Sequence, residues 1–437
     1  MSNVVLFLAV ACTETLPDRV VAQLDVSAEL DVESETSLTV SWTTDEPSDA
    51  ALEFGLDSAY GERIVGSSSE DGRTHAVVLA GLTPEEVWHW RAVSGEQVSA
   101  DQTFEPAYAP AELPQLLVTG GHRGLILAPI LGETTYVALY DGEGIPVWWR
   151  RLGGMESVTQ ARLSADGRDV LVMGMIPVLG TSTVIARLPI AGGEPTVVEI
   201  DAHHDFIELA SGGYATIVSD IREYDGVRVQ GDSLVEVSVD GTVRTVWSTW
   251  DHAVPSDVDA LFVINERGDR DWTHMNSLAW KDGNYWLSSY TLESIFVVHG
   301  ETGATVARIG GEGSDVQLVG GEGFGPQHGV LPTEAGFLVF NNRSGTGADA
   351  WSEAVAYDLN LRTREYARVW SYDAERGLTT QLLGNVEPTA AGHLVSWGVA
   401  GHLTALDADH NPVWDAQTPM GSAFGYAHPV AALSGVP

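Results

Sequence analysis

Cysteine is almost absent. The 437 residues contain one, Cys12, so no internal disulfide can form. Basic residues are scarce: 22 Lys and Arg face 61 Asp and Glu, for a formal net charge of −39, and Lys281 is the sole lysine. Such a chain repels polyanions, so no nucleic-acid partner is expected. The acidic balance fits a saline or secreted setting, because net charge governs solubility rather than fold. Past the N-terminus, no segment approaches the roughly 20 apolar residues of a membrane-spanning helix. No carboxylate-dense loop has calcium-binding spacing, and no metal is expected.

Glycine and tryptophan are plentiful, at 47 and 14 residues. Gly-rich turns and many tryptophans suit strands better than helices. Residues 1–22 read as a leader and tether. The apolar run in MSNVVLFLAVAC ends at Cys12 and resembles a bacterial lipoprotein signal, although no Lys or Arg precedes it and the run is short. This predicts export, with a lipid on Cys12 anchoring the protein in the cell envelope or periplasm.

Residues 23–106 carry short alternating runs, among them SLTVSWTTD, AALEFG and VWHWRAV, at the spacing of a β-sandwich. Trp42 in mid-strand and the LTPEEVWHW turn and strand resemble a fibronectin type III-like module. His75 and His89 there read as strand residues. Residues 107–115, YAPAELPQ and its preceding Ala, form a linker.

From residue 116 to 437 two kinds of hairpin alternate. One kind is TTYVALYDGEGIPVWWRRL, DSLVEVSVDGTVRTVWSTW and ESIFVVHGETGATVARIGG. The other is ARLSADGRDVLVMGM, HDFIELASGGYATIVSD and NSLAWKDGNYWLSSY. Paired, they repeat every ~45–60 residues, a blade-like period. The expectation is an all-β chain, an N-terminal β-sandwich followed by a six-bladed β-propeller. FGYAHPVAAL is the candidate closing strand. Arg150 and Arg151, ending VWWRRL, read as a solvated strand end.

Three inner hairpins open with a polar group of residues: AHHDFIEL (His203, His204, Asp205), DWTHMNSLAW (Asp271, His274, Asn276) and GPQHGVL (Gln327, His328). Asn385 in LGNVEP holds the matching place in a fourth. The first strand of each blade lines a propeller's channel, so these residues are expected to meet on one axial pocket.

HHDF, DWTHMNSLAW and PQHGVL resemble the bacterial arylsulfotransferases that use no nucleotide sulfate donor. The resemblance implies a transfer from an aryl sulfate donor to a phenolic acceptor, with no cofactor. It implies that His328 is the nucleophile, and that His274 and His204 bind the sulfuryl oxygens and move the phenol's proton. His203, Asn276 and Asn385 would line the pocket. One departure stands out: where the family has an Arg after LSS, this chain has Tyr290, which offers one neutral donor and no bidentate fork. Arg343 in FNNRSG is the candidate replacement. A catalytically silent surface propeller that binds a ligand or a protein stays open as the alternative. A hydrolase that discharges the histidine adduct to water is a third reading. The oligomeric state is not legible.

Overall fold

The computed structural model describes residues 23–122, 124–176, 182–253, 255, 268–343, 351–430 and 433. The leader and Cys12 lie outside the described residues. Every sheet is built from the alternating runs seen in the sequence. The hairpin turns follow their residue types: Asp282 and Gly283, joining Met275–Lys281 to Asn284–Ser289, both take positive φ (50° and 80°). Only a turn with that hand matches the twist of the strands it joins.

Residues 23–104 form two sheets. One contains Ala51–Gly55 and Trp88–Ser94, the other Ser37–Thr43 and Thr74–Ala80. Val40, Trp42, Leu52, Val77, Leu79 and Trp90 fill the space between them. His75 is buried and its ring nitrogens meet the hydroxyls of Thr44, Ser48 and Ser68. It is a satisfied strand residue.

Among the described residues six further sheets follow, each of four or five strands. Their innermost strands pack side by side: Glu156–Leu163, Ala202–Glu208, Met275–Lys281, Gln327–Pro332 and Asn385–Thr389. The last of these meets His428–Val430, which pairs with Leu125–Leu131 of the first sheet and closes the ring. The architecture is a propeller. FGYAHPV supplies the closing strand, and Leu117–Gly120 adds an outer strand to the last sheet through Pro412–Gln417. The two ends of the ring domain therefore lock into each other's sheets.

Arg150 is not solvated. It is 2 % exposed, and its guanidinium lies 2.6 Å from the Asp31 carboxylate and 2.7 Å from the Ser34 hydroxyl of the sandwich. Val78 of the sandwich also joins the core of the first two ring sheets. The sandwich thus docks directly on the ring.

Candidate active site

The inner strands do not enter the ring axis as regular strands. Pairing slips between His203 and Phe206, between Met275 and Ser277, and between His328 and Leu331. Such bulges turn a side chain away from the plain alternation of a strand. His204 and His274 take positive φ (64° and 42°), a conformation that costs an L-residue about 1–2 kcal/mol. Gly329, at φ 61°, follows His328, and a Cβ there would meet the Cα of Asn385 at 2.8 Å. Three neighbouring strands thus distort at their polar entry residues. Strain of this kind clusters at functional sites.

The result is a chain of rings across the axis. His203 and His204 lie 5.0 Å apart between centroids, His204 and His274 4.9 Å, His274 and Tyr290 5.6 Å, and Tyr290 and His328 5.5 Å. The structure brings together His203, His204, His274, Tyr290 and His328, from three sheets. Tyr290 stands between two imidazoles, held by its backbone N–H donating to the His274 carbonyl. Burial, and then the Glu293 carboxylate, raise its phenol above the ordinary value. The hydroxyl stays protonated and able to donate.

Each imidazole has one nitrogen fixed. His328 Nδ1 lies 2.7 Å from Asn342 Oδ1, and the Asn342 amide nitrogen donates to the carbonyls of Thr380 and Leu383. The amide cannot turn round, so His328 Nδ1 carries the hydrogen and Nε2 keeps its lone pair. Burial pushes the His328 imidazole down to about 3, and the nearby His274 adds to the shift against the Asn342 hydrogen bond. His328 is therefore a neutral base with an open Nε2. His274 Nδ1 lies 2.6 Å from Asp271 Oδ2, which leaves its Nε2 open as well. His204 is pushed well below the ordinary value by burial, then by His274, His203 and His328.

His203 has no open nitrogen. Its Nδ1 lies 2.8 Å from His204 Nδ1 and its Nε2 3.0 Å from Asp232 Oδ1. It supports a neighbour instead of offering a nitrogen to substrate.

Arg343 is not brought into this set. Its guanidinium bonds Glu353 at 3.1 Å and Glu322 at 2.9 Å and covers the face of Trp351. None of the four imidazoles has a guanidinium partner among the described residues. Asn385 is spent on ring closure: its amide donates to the Ala427 carbonyl and accepts from the Ala427 N–H. Asn276 is fully buried and ties the fourth sheet to the fifth by donating to the Gln327 carbonyl at 2.6 Å. Its amide oxygen has no partner.

Deeper along the axis lies a second polar layer. Arg162 and Gln160 bond the buried Asp205 carboxylate. Asp205 also accepts from the backbone N–H groups of Phe206 and Leu278. His428 bridges Gln160 and Glu387, and Asn385 donates to Glu387. These groups line a cavity of about 20 Å³, room for one water molecule.

Asp232 and Asn342 escaped the sequence reading. Asp232 begins the apolar run of DSLVEV, and Asn342 stands beside the more conspicuous Arg343. Only strand pairing places either beside an imidazole. Among the described residues no group of three or more His, Cys, Asp or Glu converges as a metal site would.

The arylsulfotransferase (ASST) family model matches residues 121–411. No curated protein matches the chain. Solved structures of similar shape include a nidogen/laminin complex (11% identity, 70% of this chain and 97% of that chain, TM-score 0.42). Others are the Pseudomonas aeruginosa periplasmic gluconolactonase PpgL (11% identity, 70% and 99%, TM-score 0.40) and the β-propeller domain of Myceliophteria thermophila Cps50 (Swd1) (12% identity, 68% and 88%, TM-score 0.36).

Proposed function

Because the chain belongs to the arylsulfotransferase family, we propose that it moves a sulfuryl group from an aryl sulfate to a phenol through a covalent adduct on His328. The observation that carries this reading is the locked tautomer of His328. A fixed Asn342 takes the Nδ1 hydrogen and burial keeps the ring neutral. A neutral imidazole with a free Nε2 attacks sulfur without first losing a proton, and it splits one hard transfer into two easier ones. The N–S bond forms as the S–O bond to the phenol breaks. An acceptor phenol then reverses the step.

His204 and His274 flank the nucleophile with one nitrogen each turned away from their supports. Donors placed around the equatorial oxygens stabilise their charge in the transition state. The Tyr290 hydroxyl, between His274 and His328, supplies a neutral donor where the family's arginine is expected. The alternative reading, a silent binder, has one observation in its favour: Arg343 is engaged by two glutamates and supplies no replacement charge.

The test is an assay with a chromogenic aryl sulfate and a phenol acceptor, wild type against His328→Ala. Acceptor-dependent release of the chromophore, lost in the variant, supports the transferase. Release without acceptor, also lost in the variant, replaces it with a hydrolase. Folded protein that releases nothing from several donors leaves the silent binder.

A further inference from the structure

The four imidazoles are not equivalent, and the odd one is His203. Both its nitrogens are used inside the protein, by His204 and by Asp232. Asp232 is fully buried. Its second oxygen accepts from the Thr273 hydroxyl and, at 2.8 Å, from the Met275 N–H. Those donors come from the segment that carries His274, so Asp232 is fixed by the neighbouring sheet. A buried carboxylate held by these two donors stays ionised, and His203 Nε2, facing its other oxygen, must carry a hydrogen. The two Nδ1 atoms of His203 and His204 are 2.8 Å apart, so a hydrogen lies between them.

We infer that Asp232, His203 and His204 form a proton relay, in which the phenol oxygen exchanges a proton with His204 Nε2 and the proton is held on His203. This deepens the transferase reading and rests on it. Before the donor reacts, His203 is an imidazolium, with Nε2–H on Asp232 and Nδ1–H on His204. His204 then accepts at Nδ1 and carries its own hydrogen on Nε2, towards the site. As the S–O bond of the aryl sulfate breaks, the electron pair goes to the phenol oxygen, which takes the His204 Nε2 hydrogen. His204 Nδ1 takes the His203 Nδ1 hydrogen, and His203 becomes neutral. His328 ends as an imidazolium bearing SO3⁻ on Nε2. An aryl sulfate anion and one imidazolium become a neutral phenol and a net-neutral adduct, so charge balances. The acceptor phenol returns its proton along the same path.

The groups that act on His203 agree with this. Burial alone pushes it down, but Asp232, then Asp271 and Asp201, hold it above its ordinary value. His204 faces His203, His274 and His328 and stays neutral. The relay thus keeps a positive charge in a site to which no arginine of the described residues is bonded. Asp232 and His203 are positioning residues; His204 is the group that touches the phenol.

A proton delivered to the leaving oxygen matters only when the phenol is a weak acid. The test compares phenyl sulfate, a poor leaving group, with 4-nitrophenyl sulfate, a good one. General acid catalysis contributes about 10²–10⁴-fold. Asp232→Asn and His203→Gln are expected to lose about 100-fold or more in kcat/KM with phenyl sulfate and under about 10-fold with 4-nitrophenyl sulfate. Equal losses on both donors, or none, would overturn the relay. Should neither variant fold, the wild type decides through its pH profile. Turnover of phenyl sulfate should fall as pH rises and His203 loses its proton, while 4-nitrophenyl sulfate should not follow. Parallel profiles would overturn the relay. A wild type that turns over neither donor overturns the transferase reading itself.

Discussion

The ring axis holds two polar layers, one above the other, and they differ in what each group has left over. In the deeper layer the groups answer one another, Arg162 Nε excepted: Asp205 takes Arg162, Gln160 and two backbone N–H groups, and His428 is used on both nitrogens by Gln160 and Glu387. In the entry layer His204, His274 and His328 each keep one nitrogen open. Both layers are buried and rich in titratable groups. Burial therefore does not separate structure from chemistry here. The open atom does, because a satisfied polar network rigidifies a core while an unsatisfied, oriented one can bind.

Substitutions should separate the layers. The largest stability effect is expected at Asp205. Asp205→Ala removes a buried carboxylate and leaves the buried Gln160 amide, two backbone N–H groups and the partly exposed Arg162 without their acceptor. Each buried donor so stranded costs about 1–3 kcal/mol, read as a lower midpoint in denaturant. An unchanged midpoint would mean that the deeper layer does not hold the ring. Glu387→Gln removes the charge that His428 faces and should cost about 1–3 kcal/mol.

Acid should act on both layers. Burial raises the Glu387 carboxyl, but His428, then Arg162 and Asn385, bring it below its ordinary value. A lowered folded value means stability that is present above about 4.5, the ordinary value, and lost as pH falls through the folded one. Glu387→Gln should abolish that part of the acid loss. His328 in the entry layer has the same sign for a different reason, while His203, held above its ordinary value, has the opposite one. His328 resists protonation down to about 3, whereas the unfolded chain takes that proton near 6.5. Stability therefore falls between those values, and His328→Gln should flatten that part of an acid titration followed by tryptophan fluorescence. If the curves superimpose, the buried neutral His328 is wrong.

The smallest effects are expected at Tyr290. Tyr290→Arg restores a forked cation and should raise kcat/KM for aryl sulfates by about 10-fold, since one such donor is worth up to about 10²–10³. Tyr290→Phe keeps the ring and should cost less than about 10-fold. A Tyr290→Phe loss as large as that of His328→Ala would make the hydroxyl part of the chemistry instead of a helper.

Much of this was visible along the chain. Alternating runs broken by Asp-Gly turns specify hairpins, since turn type and side-chain period are local properties. His204, His274 and His328 recur at one point of the repeat, and the ring brings them together. Other residues misled because their partners are remote in sequence. Arg150 reads as a solvated end until Asp31 covers it. Arg343 reads as a free cation until Glu322 and Glu353 take it. Asn385 does line the axial cavity, but its amide is engaged by the closing strand at Ala427, a partner remote in sequence.

The sequence by itself determined the strands, the turns and which imidazoles would share an axis, because each follows from local period and from repetition. The tertiary structure alone decided which nitrogen of each imidazole is open. That depends on Asp232, Asp271 and Asn342, and on the positive φ of His204, inside a bulge, and of His274, just before its strand. A hydrogen bond of a few ångströms between neighbouring strands leaves no mark in the spacing of residues along the chain.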